Sequence, residues 1–163
     1  RPNIVLSDLM KPNGEVAFQG ENLIICSLLN IEQERSVMNF PVSGPEKKYP
    51  PVSLNLYVLF SAYYPGEEND YEEGLKMLSY VIAFFQSKKV FTPANTPGLT
   101  ESVKKVTAEL VNLDIREMGN FWNAIGSKLL PSVAYKLRLI TIDEGMILEE
   151  VEDITTIEGQ TRP

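Results

Sequence analysis

The chain of 163 residues and 18.3 kDa suits one domain, or one domain with a tail, and at this size folding hides about 70% of the unfolded surface. Hydrophobic residues at 44% and charged residues at 23% exclude wholesale disorder, and no apolar run approaches the roughly 20 residues of a membrane helix. The net charge of −7 sits in one place: seven acids and no base lie between Asp143 and Glu158, and the remainder balances at 15 acids against 15 bases, without the clustered Lys and Arg that nucleic acid requires.

This is the composition of a soluble globular domain, with no charged-then-apolar leader; because the first residue is Arg1 rather than Met, an upstream piece is expected to have been trimmed. Ile4 to Leu9 reads as a short strand, closed by the turn-like Lys11-Pro12-Asn13-Gly14. Asn22 to Ile31 reads as a buried strand with apolar residues on both faces. Phe40 to Pro51, with Pro41, Gly44, Pro45, Pro50 and Pro51, reads as a loop. Val52 to Tyr64 carries the strongest strand pattern: Leu54, Leu56, Val58, Phe60 and Ala62 share one face, and Asn55, Tyr57, Leu59 and Ser61 the other.

Pro65-Gly66 ends that strand, and Asn69 or Asp70 is placed to cap a helix with Glu72 and Glu73 in its first turn, where acids favour the positive helix end. Leu75, Leu78, Val81, Ile82 and Phe85 recur at helical spacing, with Gly74 as a weak point. Thr92 to Gly98 reads as a second loop. Val103 to Leu113 alternates and is rich in β-branched residues, so it reads as a strand. Arg116 to Ile125 reads as a short helix with Met118, Phe121, Trp122 and Ile125 on one side and Gly126 just past its end. Pro131 opens a strand to about Asp143, where Tyr135, Leu137 and Leu139 alternate with Lys136 and Arg138. After the turn Asp143-Glu144-Gly145, Met146 to Ile157 has weak strand character. The order predicts an α+β fold, a mostly antiparallel sheet flanked by two helices. Its boundaries are an α+β domain over 1–143 and an acidic C-terminal extension over 144–163.

Chemistry is short of reagents. No histidine is present, which removes the commonest general base and metal ligand, and Cys26 is the only cysteine, so internal disulfides, thiolate zinc sites and CxxC motifs are impossible. Cys26 lies in the apolar run Leu23 to Leu29 and reads as a core residue. The pairs Glu67-Glu68, Glu72-Glu73 and Glu149-Glu150 are candidates for glycosidase carboxylates, but adjacent residues point apart, and capping and tail charge explain them better. Glu67 to Asp70 lacks the spacing of an EF-hand, and there is no GxSxG, GxGxxG or P-loop. Trp122 reads as a core or interface anchor. Lys136 and Arg138, with Lys104 and Lys105 on a neighbouring strand, form a candidate basic strip or a solvated sheet face. No catalytic residue, cofactor or metal ligand is expected; the reading is a binding or assembly module.

Two segments carry a resemblance. Pro50-Pro51-Val52-Ser53-Leu54-Asn55-Leu56-Tyr57-Val58-Leu59-Phe60-Ser61-Ala62-Tyr63 resembles a proline-led strand, and Phe121-Trp122-Asn123-Ala124-Ile125-Gly126 followed by Pro131-Ser132-Val133-Ala134-Tyr135-Lys136-Leu137-Arg138 resembles a helix–strand pair, of one family. That family is the N-terminal domain of the tube-terminator (cap) protein of contractile injection systems, the phage-tail-like particles of the virulence-cassette and antifeeding-prophage type. The likeness spans roughly Asn22 to Asp143 and includes the acidic start and helix from Glu67 to Phe85. It implies a phage tail-terminator-like fold and a homo-oligomeric ring, of six members in the family. Such a ring sits on the far end of the inner tube, stops its growth and anchors the last sheath layer.

The implied partners are the chain itself, the inner-tube protein and the sheath protein, with no nucleic acid and no membrane. Assembly in the cytoplasm and residence in an injection particle follow. A role for Glu149, Glu150, Glu152 and Asp153 in docking on a sheath subunit is expected from their charge, and Trp122, Lys136 and Arg138 are the candidate interface anchors. Readings of another kind are a tail-completion or connector subunit, an acid-dependent glycosidase with facing carboxylates about 5 to 9 Å apart, and a small-ligand binding module with one deep apolar pocket.

Overall fold

A computed structural model describes residues 4–11, 22–34, 46–48, 53–66, 70–141 and 147–150. The long alternating segments become strands as their period requires. They are β1 (Ile4–Leu6), β2 (Leu23–Gln33), β4 (Ser53–Tyr63), β6 (Val103–Val111) and β7 (Ser132–Thr141). Three shorter strands, β3 (Glu46–Lys48), β5 (Val90–Phe91) and β8 (Ile147–Glu150), and two helices, α1 (Asp70–Ser87) and α2 (Ile115–Ile125), complete the described elements. The main sheet has six strands in the order β1-β2-β4-β7-β6-β5, and β3 and β8 form a separate two-stranded sheet. Every pairing is antiparallel except β1 with β2.

The α+β expectation therefore holds, with the two helices on opposite faces of the sheet. The period-2 alternation of β4 sends Val58, Phe60 and Ala62 to the α1 face, where they meet Ile24, Leu78, Val81, Ala108 and Tyr135. Leu59 points the other way and packs with Ile25, Ala134 and Trp122 of α2. Where the central β4 lies between the two helices, Val58, Leu59 and Phe60 form an unbroken apolar stretch, whereas β6, nearer an edge, keeps a polar alternation. A ring cluster closes the α1 layer: Phe85 lies 4.4 Å from Tyr135 and 5.5 Å from Phe60, centroid to centroid.

Gly74, which counts against a helix in the sequence, lies inside α1 on its buried face. A Cβ built there would lie 3.4 Å from the Cβ of Ala62, so the helix runs close enough to β4 here to admit a methyl group but not a long side chain. Leu75 is 41% exposed and so belongs to the outer face rather than the core stripe. At α2 the helix begins one residue earlier than Arg116 and is capped by Asp114, whose carboxylate accepts from the backbone N–H groups of Arg116 and Glu117 at 2.8 Å each, while its own N–H donates to Glu117 at 3.0 Å. This capping box satisfies donors that helix geometry leaves free. Gly126 closes α2 in the left-handed region at φ 73°.

Two corrections concern short elements. Glu46–Lys48 form a strand inside the segment read as a loop, and Val90–Phe91 form an edge strand that was not foreseen. The turn at Asp143 to Gly145 lies outside the described residues, as do Asn69 and the remainder of the 40–51 loop.

Candidate interaction surfaces

Among the described elements, only α2 covers this second sheet face, and it does so at one end. Continuing past Leu59 and Ala134, the same face carries Tyr57 and Asn55 of β4, Lys136 and Arg138 of β7, Glu109, Thr107 and Lys105 of β6, and Asn30 and Glu32 of β2. Register fixes these neighbours: Lys136 lies between Tyr57 and Glu109, and Arg138 between Asn55 and Thr107. Tyr57 and Asn55 lie opposite Asn30 and Glu32. The strip expected to be basic is thus mixed in charge. Arg138 Nε reaches Glu34 Oε2 at 2.6 Å, an ion pair rather than an aligned hydrogen bond. Burial of the Tyr57 ring, then its hydrogen bond to Glu32 and that residue's charge, raise its pKa above the ordinary 10.0. Lys104 sits at the register shift where β6 begins and is exposed. The alternation of β6 could have revealed Glu109 beside Lys136; Glu34 could not be foreseen, since its pairing crosses β4.

Trp122 sits elsewhere, in the core between α2 and the sheet, 4% exposed and in contact range of Leu9, Ile25, Leu59 and Ala134. Of the two readings, core or interface anchor, its position is the core one, and it does not join Lys136 and Arg138 at one place. Its indole Nε1 is buried without a hydrogen-bond partner among the described residues. Beside it, where β6 leaves β7 and turns into α2, an apolar cleft of about 240 Å³ is lined by Leu59, Leu113, Met118, Phe121 and Trp122. That is below the roughly 300 Å³ at which ligand pockets usually begin.

The expected docking residues divide. Glu149 and Glu150 lie on β8, whose Glu150 and Ile147 pair with Glu46 and Lys48 of β3, so one edge of that strand is already occupied within the chain. Glu152 and Asp153 lie outside the described residues. Glu72 and Glu73 occupy the exposed first turn of α1, and Glu73 accepts from Asn22 Nδ2 at 3.0 Å, a structural contact. Glu67 and Glu68 are outside the described residues. Cys26 faces the α1 core, and burial raises its thiol pKa above 9.0, the opposite of what a nucleophile requires. Among the described residues no three Cys, Asp or Glu side chains gather to hold a metal ion, and no helix is long and apolar enough to cross a membrane.

Comparison with known proteins bears on the whole chain. The family model described as the Pvc16 N-terminal domain matches residues 7–156. Comparison with curated proteins gives no match. Among solved structures, the chain is similar to the sheath/tube terminator of an extracellular contractile injection system, PVC, in its extended state, with TM-score 0.60 and 14% identity over 99% of this chain and 56% of that one. It is also similar to the tube-terminating cap of the anti-feeding prophage, with TM-score 0.56 and 13% identity over 96% of this chain and 54% of that one. The chain thus spans little more than half the length of these relatives, and at such identity the likeness establishes the fold.

Proposed function

We propose that this chain, which belongs to the Pvc16 N-terminal domain family, caps the inner tube of a phage-tail-like contractile injection system, ends its growth and anchors the last sheath layer. The observation that carries this reading is the family match over 7–156 together with a fold shared along nearly the whole chain with two tube-ending proteins.

A cap has to bind identical neighbours around an axis, so its contacts are head-to-tail and close by rotation. We place six copies in the ring, by analogy with the family. Such a part works through surfaces, which fits a chain without histidine; it is read as structural, not enzymatic. The open polar face around Lys136 and Arg138 is the proposed contact with a neighbour, with Trp122 fixing α2 from inside. Residues 1–143 form the cap domain and 144–163 the acidic extension. Assembly takes place in the cytoplasm, after which the cap resides in the particle.

The extension is assigned to the sheath. Glu149, Glu150, Glu152 and Asp153 offer a charge that a basic partner complements, with Ile147, Leu148, Val151, Ile154 and Ile157 among and around them as apolar contacts. Reversing those four charges should weaken sheath attachment; full-strength binding at low salt would refute the assignment. The capping reading itself is tested by incubating the full-length protein with purified inner tubes and imaging the ends. Density on one end of each tube supports it, and bare ends at saturating protein argue against it.

A further inference from the structure

The two edges of the main sheet fit each other. At one edge, β1 is outermost; the backbone N–H of Ser7 donates to Cys26 of β2 at 3.1 Å, so by alternation Ile4 and Leu6 turn their backbone N–H and C=O groups outward. At the other edge, the Ala108 N–H donates to the Lys89 carbonyl at 2.9 Å, and β5 pairs only with Val106 and Thr107. The next residue of β6 that faces that way, Leu110, has no strand opposite it among the described residues. Both edges expose apolar side chains: Leu6 is 80% exposed, Ile4 53% and Leu110 52%. An exposed edge of this kind is a template for another strand unless a protein blunts it.

We propose that β1 of a second copy of this chain adds to the open end of β6, with Leu6 opposite Leu110 and Ile4 opposite Asn112. Three independent features agree. Direction is the first: β1 runs parallel to β2, and three antiparallel steps through β4 and β7 make β6 run opposite to β1, so a sheet continued from copy to copy pairs the two edges antiparallel. The second is facing. Leu6 stands in register with Cys26, and Leu110 with Tyr135, and both partners belong to the α1 layer, so the two leucines meet on one face of the continued sheet.

The third is charge. With Leu6 opposite Leu110 the added strand has to end there, because the next outward position of β6, Ala108, is held by Lys89; the exposed Asp8 then leaves the sheet next to the exposed Lys89. The alternative register, Ile4 opposite Leu110, puts Leu6 against Ala108, whose N–H is already taken by Lys89. The contact joins two different surfaces, so it is heterologous and propagates around an axis. It rests on the capping reading only for the number of copies; the pairing itself is read from the edges.

The test uses the full-length protein with Cys26→Ser as background, because Cys26 is the one native thiol. Leu6→Cys together with Leu110→Cys should give a ladder of disulfide-linked multimers under mild oxidation, since facing strand residues lie within disulfide range. Each single variant should give none, and a mixture of the two singles should stop at the dimer. Asp8→Lys should cut multimer yield several-fold, and adding Lys89→Asp should restore it. Multimers or capped tube ends without the ladder would overturn this pairing and leave the capping reading standing. A protein that stays monomeric alone and on tube ends would overturn both.

Discussion

Arg138 on β7 and Glu34, one residue past β2, form an ion pair that spans the intervening strand, with Arg138 Nε 2.6 Å from Glu34 Oε2 above the buried Asn55. The contact ties three strands together at the end of the sheet that α2 leaves uncovered. Because the Arg138 side chain keeps 36% exposure and Glu34 22%, solvent screens the pair. Glu34→Gln should therefore lower stability by less than about 1 kcal/mol, and the loss should shrink in high salt. Urea melts at low and high ionic strength measure this.

Gly74 gives a prediction of the opposite sign. The Cβ of an alanine there meets Ala62 at 3.4 Å, an ordinary contact, while the helix interior gains from losing a glycine. Gly74→Ala should raise stability by about 0.5 to 1 kcal/mol. Gly74→Leu should lower it by about 1 to 3 kcal/mol by pushing α1 off the sheet. Thermal melts of the two variants decide it.

Trp122 separates packing from polarity. Trp122→Ala should cost about 3 to 5 kcal/mol, as the removal of a buried aromatic does. Trp122→Phe removes the partnerless indole N–H together with part of the ring, so it should cost clearly less than half of that. Denaturant titrations give both values.

These residues also show what sequence can and cannot disclose. The strict alternation of Leu54 to Ala62 and the helical spacing of Leu78, Val81 and Phe85 revealed β4 and α1, because one period decides which face is buried. The two residues of β5 and three of β3 carry too few positions for a period. The role of Gly74 depends on Ala62, twelve residues earlier, and that of Glu34 on a strand two places away in the sheet. The acidic pair Asp114 and Glu117, by contrast, was readable as a capping box from its spacing alone. The candidate contact residues were legible as types; the mixed charge of their strip required the register.

Alkaline pH should destabilise the fold. Burial raises the Cys26 thiol above 9.0 and the Tyr135 phenol above 10.0. An acid whose folded pKa is raised keeps its proton more tightly when folded, so this stability is fully present below the unfolded values. It is lost as pH rises past about 9 to 10 and through the higher folded values. Cys26→Ala should flatten the lower part of that fall in a series of melts, and a thiol reagent should react slowly with the native protein at pH 8.

The central claim, that this protein ends the tube, is tested most directly by deleting its gene in the host and imaging purified particles by negative-stain electron microscopy. Capping predicts tubes of uncontrolled length, or naked tubes without stable sheath, restored to normal by the wild-type gene. Sheathed particles of normal length in the deletion strain would contradict it.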